Sequence, residues 1–184
     1  MSRPAKRARI TTPFTKAVIE EILDTIQYGD MKLSPDALPL IQHYSSVVCS
    51  SISAEVICKK MKLADAMYSI LGEDLGKHAF TCKRFKLDEE SKIVEGTQPC
   101  FDVRHTFFDA VGEDMLARHQ LASYTQYITE EMLDLAGSQV RNEHVADDGG
   151  DLVIEAKHVH KAIRDDFELN ELLRLKRATN SKEL

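Results

Sequence analysis

The chain has 184 residues, of which 43% are apolar and 29% charged, with no Trp, eight Gly and five Pro. That supplies core material for one ordinary domain or two very small ones sharing a core, and too few turn formers for a sheet-rich protein. The net charge of −6 is uneven: +4 over residues 1–9, −3 over 10–99 and −7 over 100–184, an acid excess unlike that of an ordinary DNA binder.

No apolar run approaches the roughly 20 residues that span a bilayer. The basic stretch Met1–Arg9 is followed by no continuous apolar segment, so it does not read as a secretion signal. Cys49, Cys58, Cys82 and Cys100 form no Cys-x-x-Cys pair and no zinc-like spacing with histidine. Free thiols in a reducing compartment are expected.

The helix signals come in two short–long–short sets of three, each followed by a further helix. Thr12-Pro13 predicts a helix start, with Val18, Ile19, Ile22, Leu23 and Ile26 behind it at helical spacing and Gly29 as a stop. Ser34-Pro35 repeats the start signal. Leu38, Ile41, Tyr44, Val48, Ile52 and Val56 then draw one stripe along a long helix, in which Pro39 is a flaw expected to cost an early hydrogen bond. A basic loop, Lys59–Lys62, leads to a short helix over Leu63–Leu71 and another from Glu73 to about Lys86. Residues 88–99 read as a linker. The pattern then restarts with a short helix over Phe101–Val111 and a long one carrying Leu121, Tyr124, Ile128, Met132 and Leu135. A loop is expected over Asn142–Asp151, then helices over Ala156–Arg164 and Glu168–Lys176. The polar tail is expected to fray. One long helix per three-helix unit needs a partner to cross it, and two units in one chain can supply each other.

Two stretches of the second half carry a resemblance. Leu133 to Arg141 reads Leu-Asp-Leu-Ala-Gly-Ser-Gln-Val-Arg, and His158 to Leu173 reads His-Val-His-Lys-Ala-Ile-Arg-Asp-Asp-Phe-Glu-Leu-Asn-Glu-Leu-Leu. Both resemble histone 2A. Leu71 to Ala79 resembles the start of the C-terminal helix of histone 2B. The order is similar to that of the fused histone doublets of marseillevirus-type giant viruses. The resemblance implies an all-α fold of two histone folds paired in an intramolecular handshake. It divides the chain into a basic tail (1–12), a histone 2B-like fold (13–87), a linker (88–99), a histone 2A-like fold (100–176) and a C-terminal tail (177–184). It implies a structural role in chromatin. The partners would be double-stranded DNA, bound by its phosphates and not its sequence, a histone 4–3-like doublet or histones 3 and 4, and a second copy in an octamer-like particle. Location in the virion and in the host nucleus or viral factory follows from the resemblance alone.

The expected DNA contacts are the tail residues Arg3, Lys6, Arg7 and Arg9, the loop residues Lys59, Lys60 and Lys62 with Lys32 in the partner loop, and Arg104, Arg118 and Arg141 in the second half, with His105 beside them. The rival reading of the tail is an import signal or a solubilising segment, and each cation alone reads as a surface charge. Departures from the family are plain. Asp147, Asp148 and Asp151 stand in a loop that is basic in histone 2A, the Lys59–Lys62 loop is shortened, and the chain stops soon after Leu173. Weaker and more salt-sensitive wrapping is therefore expected.

Glu131 and Asp134 lie three apart on the long helix. The resemblance puts them in the acidic patch of histone 2A with Asp166 and Glu168, and makes Asp74 the matching position of the first half. Gln126 and Cys82 stand where the family has acids. A solvated helix face is the plain alternative. No nucleophile–base pair, phosphate loop or metal cluster is evident. The reading is therefore of a non-enzyme without cofactor, small-molecule substrate or membrane partner. His158 and His160 are two apart and poor joint ligands, and His158 reads as a hydrogen-bonded packing residue. The rival is a histone-fold interaction module that does not wrap DNA.

Overall fold

A computed structural model describes residues 14–26, 30–81, 94, 99–100, 111–112, 114–144 and 151–180. Those residues form seven helices and one two-stranded parallel sheet.

Helix α1 (Lys16–Thr25) is capped by Thr15, whose Oγ1 accepts from the Val18 amide at 3.3 Å. Thr12-Pro13 lies outside the described residues, and the observed start falls later because Thr15 also supplies a cap. Phe14 and Ile19 occupy the positions that staple a helix entry, and both are buried. Strand β1 (Met31–Leu33) follows, then α2 (Ala37–Lys59). Ser34 Oγ accepts from the Ala37 amide at 3.2 Å, so the Ser-Pro signal marks the helix entry two residues early. Pro39 is not the flaw it suggests. It is the third residue of α2, where an amide has no intrahelical acceptor to lose.

Ile41, Tyr44, Val48 and Ile52 of the expected stripe are buried, and Leu38 and Val56 are half-buried at its ends. Ser51 and Ser53 are buried on another side of α2. Their hydroxyls donate to the carbonyls of Val47 and Cys49 at 2.5 and 2.7 Å, which removes the penalty for burying them. Cys49 is partly covered, and burial pushes its thiol up to about 11, as suits an inert side chain. Lys60 ends α2 in the left-handed region at φ 51°.

Helix α3 (Leu63–Leu71) stops at Gly72, with φ 79°, and α4 (Glu73–Thr81) begins at once. A side chain at Gly76 would lie 2.8 Å from the Tyr68 ring, so glycine lets α4 approach α3. The expected extension of α4 to Lys86, the 88–99 linker except Val94 and Pro99, and most of the 101–111 helix lie outside the described residues.

Helix α5 (Met115–His144) has 30 residues, about 45 Å of helix. Asp114 starts it, accepting from the Ala117 amide at 3.1 Å. It continues through His144, past the expected break at Asn142. Its burial is broader than a stripe: Ser123, Thr125, Gln126, Thr129 and Glu130 are buried beside Leu121, Tyr124, Ile128 and Met132, while Leu135 is only half-buried. Strand β2 (Leu152–Ile154) then pairs in parallel with β1, Met31 opposite Leu152, Lys32 opposite Val153 and Leu33 opposite Ile154. This sheet is absent from the all-α expectation. Helix α6 (Ala156–Asp165) and helix α7 (Phe167–Asn180) complete the described chain, α7 capped by Asp166 accepting from Leu169 N at 2.7 Å.

Core residues from both halves form one cluster. The long helices α2 and α5 pack on each other, and Ser45 Oγ lies 2.7 Å from Thr129 Oγ1 in that contact, both residues fully buried. Helix α2 also packs on α6 of the second half, and α5 on α1 and α4 of the first.

Candidate nucleic-acid interface and acidic surface

The β1–β2 bridge is the first of two places where expected phosphate contacts gather. Strand alternation buries Met31 and turns Lys32 outward. Lys32 Nζ meets Asp151 Oδ2 at 2.8 Å, and this bond holds the Asp151 carboxyl below its ordinary value. Arg141, near the end of α5, has its guanidinium 3.7 Å from Asp30 just before β1. The Ser34 hydroxyl donates to Asp36, which also reaches the Ala156 amide at the start of α6, and its carboxyl is lowered mainly by Ser34. His158 is buried in the role expected of it. Its Nδ1 accepts from the Glu155 amide at 2.9 Å and its Nε2 donates to Glu143 at 3.0 Å, lowering that carboxyl. Lys157 pairs with both Glu155 and Glu143. Around the bridge, the described acids Asp30, Asp36, Glu143, Asp151 and Glu155 thus outnumber Lys32, Arg141 and Lys157.

The second place is the α2–α3 turn. Lys59 is paired with Glu55 at 2.7 Å. Lys60 and Lys62 are exposed, and neither has an ion-pair partner among the described residues. Lys62 is the N-cap of α3, so two exposed ammonium groups stand beside helix amides without a side-chain cap, an arrangement that attracts anions.

Arg118 corrects the expectation of an outward-facing cation. It is 5% exposed, and its Nε donates to the Gly112 carbonyl at 2.6 Å, so it ties the α5 entry together. Arg3, Lys6, Arg7, Arg9, Arg104 and His105 lie outside the described residues.

Of the expected acidic residues, Glu131, Asp134 and Asp166 are near enough to influence one another's charge. Burial raises the half-buried Glu131 carboxyl above its ordinary value. The Tyr127 hydroxyl opposes that, Asp134 and Asp166 add to it, and His78 opposes it. Glu131 of α5 thus feels charges carried by α4 and by the turn between α6 and α7. Glu168 Oε1 lies against Gly72, two residues before exposed Asp74. Gln126 is not at the surface: it accepts from the Cys100 amide at 2.8 Å and donates to buried Glu130 at 2.9 Å. Cys82 lies outside the described residues. Phe167, 79% exposed between Asp166 and Glu168, escaped the sequence reading, although it is an apolar residue set apart from the Leu169, Leu172 and Leu173 face.

No family model and no curated protein matches this chain. Among the described residues no group of three or more His, Cys, Asp or Glu could hold a metal ion, and no helix is long and apolar enough to cross a membrane. His158 and His160 serve different partners, His160 Nδ1 standing 3.4 Å from the Tyr44 hydroxyl.

Proposed function

We propose that the chain is a histone-fold doublet of the histone 2B–2A type, which pairs its two halves in a handshake and packages DNA with a histone 4–3-like partner, as a structural protein and not a catalyst. The observation that carries the reading is the exchange of partners between halves. The two long helices lie on one another, and the segment after α1 pairs in parallel with the segment after α5. The histone resemblance implies such paired loops, and Lys60, Lys62 and the α3 N-terminus offer phosphate ligands at the other turn. Backbone-directed binding of this kind needs cations and amides on a rim and no base-reading side chain.

A second reading, a histone-fold module that binds proteins, is favoured by the acid excess around the bridge and by the Glu131–Asp134–Asp166 cluster. Nuclease digestion separates them. The chain is mixed with a histone 4–3 doublet and long DNA at two salt concentrations. The packaging reading expects a discrete protected fragment that is lost at the higher salt. No protection at either salt, with the protein folded, favours the interaction module.

A further inference from the structure

Resting on the DNA-packaging reading, we propose that Asp151 is an internal substitute for DNA phosphate. Its carboxylate occupies Lys32 in the free protein, so the bridge edge engages DNA only by exchanging one anion for another.

The pairing follows from the register. Met31 and Leu33 face inward on either side of Lys32, which leaves its ammonium on the outer face. Lys32 is held opposite Val153, so Asp151, two residues before Val153 and on the same face, meets Lys32 as its diagonal neighbour. The two groups come from opposite halves, and the residue that neutralises the cation belongs to the loop whose family counterpart is basic. Their side chains are 68% and 74% exposed. A pair so open to water is weak and exchanges freely, and a phosphate oxygen offers Lys32 the same chemistry as the carboxylate. Arg141 and Asp30 repeat the arrangement on the same edge.

The exchange has a thermodynamic signature. A free lysine that binds phosphate releases a counterion from DNA and steepens the salt dependence by about 0.9 in the log–log slope. A lysine that must first give up its own carboxylate steepens it less. The test is a double-mutant cycle on the full chain, using Asp151→Asn, Lys32→Gln and the pair. Binding to a short mixed-sequence duplex is read by fluorescence anisotropy over a salt series, and folding by circular dichroism.

Asp151→Asn is expected to tighten binding by up to about fivefold at the lowest salt. It should steepen the slope by up to about 0.9, and both effects should vanish when Lys32 is Gln. An equal gain in the Lys32→Gln background would mean that Asp151 merely repels DNA, and overturns the proposal. Unchanged affinity and slope in Asp151→Asn, with the wild type binding normally, overturns it while sparing the packaging reading. Folded proteins that all fail to bind the duplex overturn the proposal, and the nuclease digestion with the histone 4–3 doublet then decides the packaging reading on its own.

Discussion

The buried hydroxyl pair at the α2–α5 contact gives a direct test of how the halves meet. Thr129 Oγ1 donates to its own helix at Thr125 O (2.8 Å), so Ser45 is the donor in the 2.7 Å bond between them. Ser45→Ala removes that bond, at a net cost of about 1 kcal/mol. Thr129→Val removes the acceptor. Ser45 can then fold back on its own helix, as Ser51 and Ser53 do, which again sets the cost at about 1 kcal/mol rather than the ~3 of a stranded buried donor. Once either hydroxyl is gone there is no bond left to lose. The double variant should therefore cost about 1 kcal/mol, with a coupling energy of about 1 kcal/mol. In urea, at roughly 2 kcal/mol per molar, each single variant shifts the unfolding midpoint by about 0.5 M and the double by the same amount. A double shift equal to the sum of the singles would refute the contact, and with it this crossing of the two halves.

Three further outcomes are expected. Glu131 has a raised carboxyl in the folded chain, so its charge disfavours folding above that value, and the penalty disappears as pH falls to the unfolded value near 4.5; Glu131→Gln should raise the melting temperature at neutral pH and leave it unchanged in acid. Arg118→Ala should cost about 2 kcal/mol of stability in urea unfolding, yet change duplex affinity less than Lys60→Gln with Lys62→Gln, which should flatten the salt slope by about 1.8; the reverse pattern would return Arg118 to the interface. Gly72→Ala forces a side chain into φ 79°, ψ −174°, a region that essentially only glycine adopts, so a loss of about 1–3 kcal/mol in thermal unfolding is expected.

The elements legible in the sequence are those fixed by local spacing. The Ile41–Ile52 stripe of α2 follows from steps of three and four, and its residues are buried as read. Helix α5 was only half legible. Its Thr125 and Thr129 look like surface residues in a pattern of apolar positions, but each bonds a carbonyl one turn back and can be enclosed. The sheet was illegible because three-residue strands carry no periodicity and their partners lie in opposite halves. The same distance hid the state of the expected site. Glu131 and Asp134 could be joined by helical spacing, whereas Asp166, at the end of α6, comes near them only through the packing of α6 on α5. Lys32, Arg141 and Arg118 are recognisable as cations in sequence, but the carboxylates and carbonyl that occupy them are set by tertiary approach.

The interlocking of α2 with α5 and α6 also has a consequence for biosynthesis. While the first half emerges from a ribosome, the faces of Ile41, Val48 and Ile52 have no α5 to cover them. At about 5–20 residues per second, the stretch carrying α5 to α7 takes several seconds more to appear. During that interval the apolar residues of α2 that α5 covers in the finished fold stay exposed, which favours chaperone capture or association with a neighbour on the same message. Closure of β1 on β2 joins segments more than a hundred positions apart, a long-range pairing of the kind that slows folding and waits on synthesis of the second half.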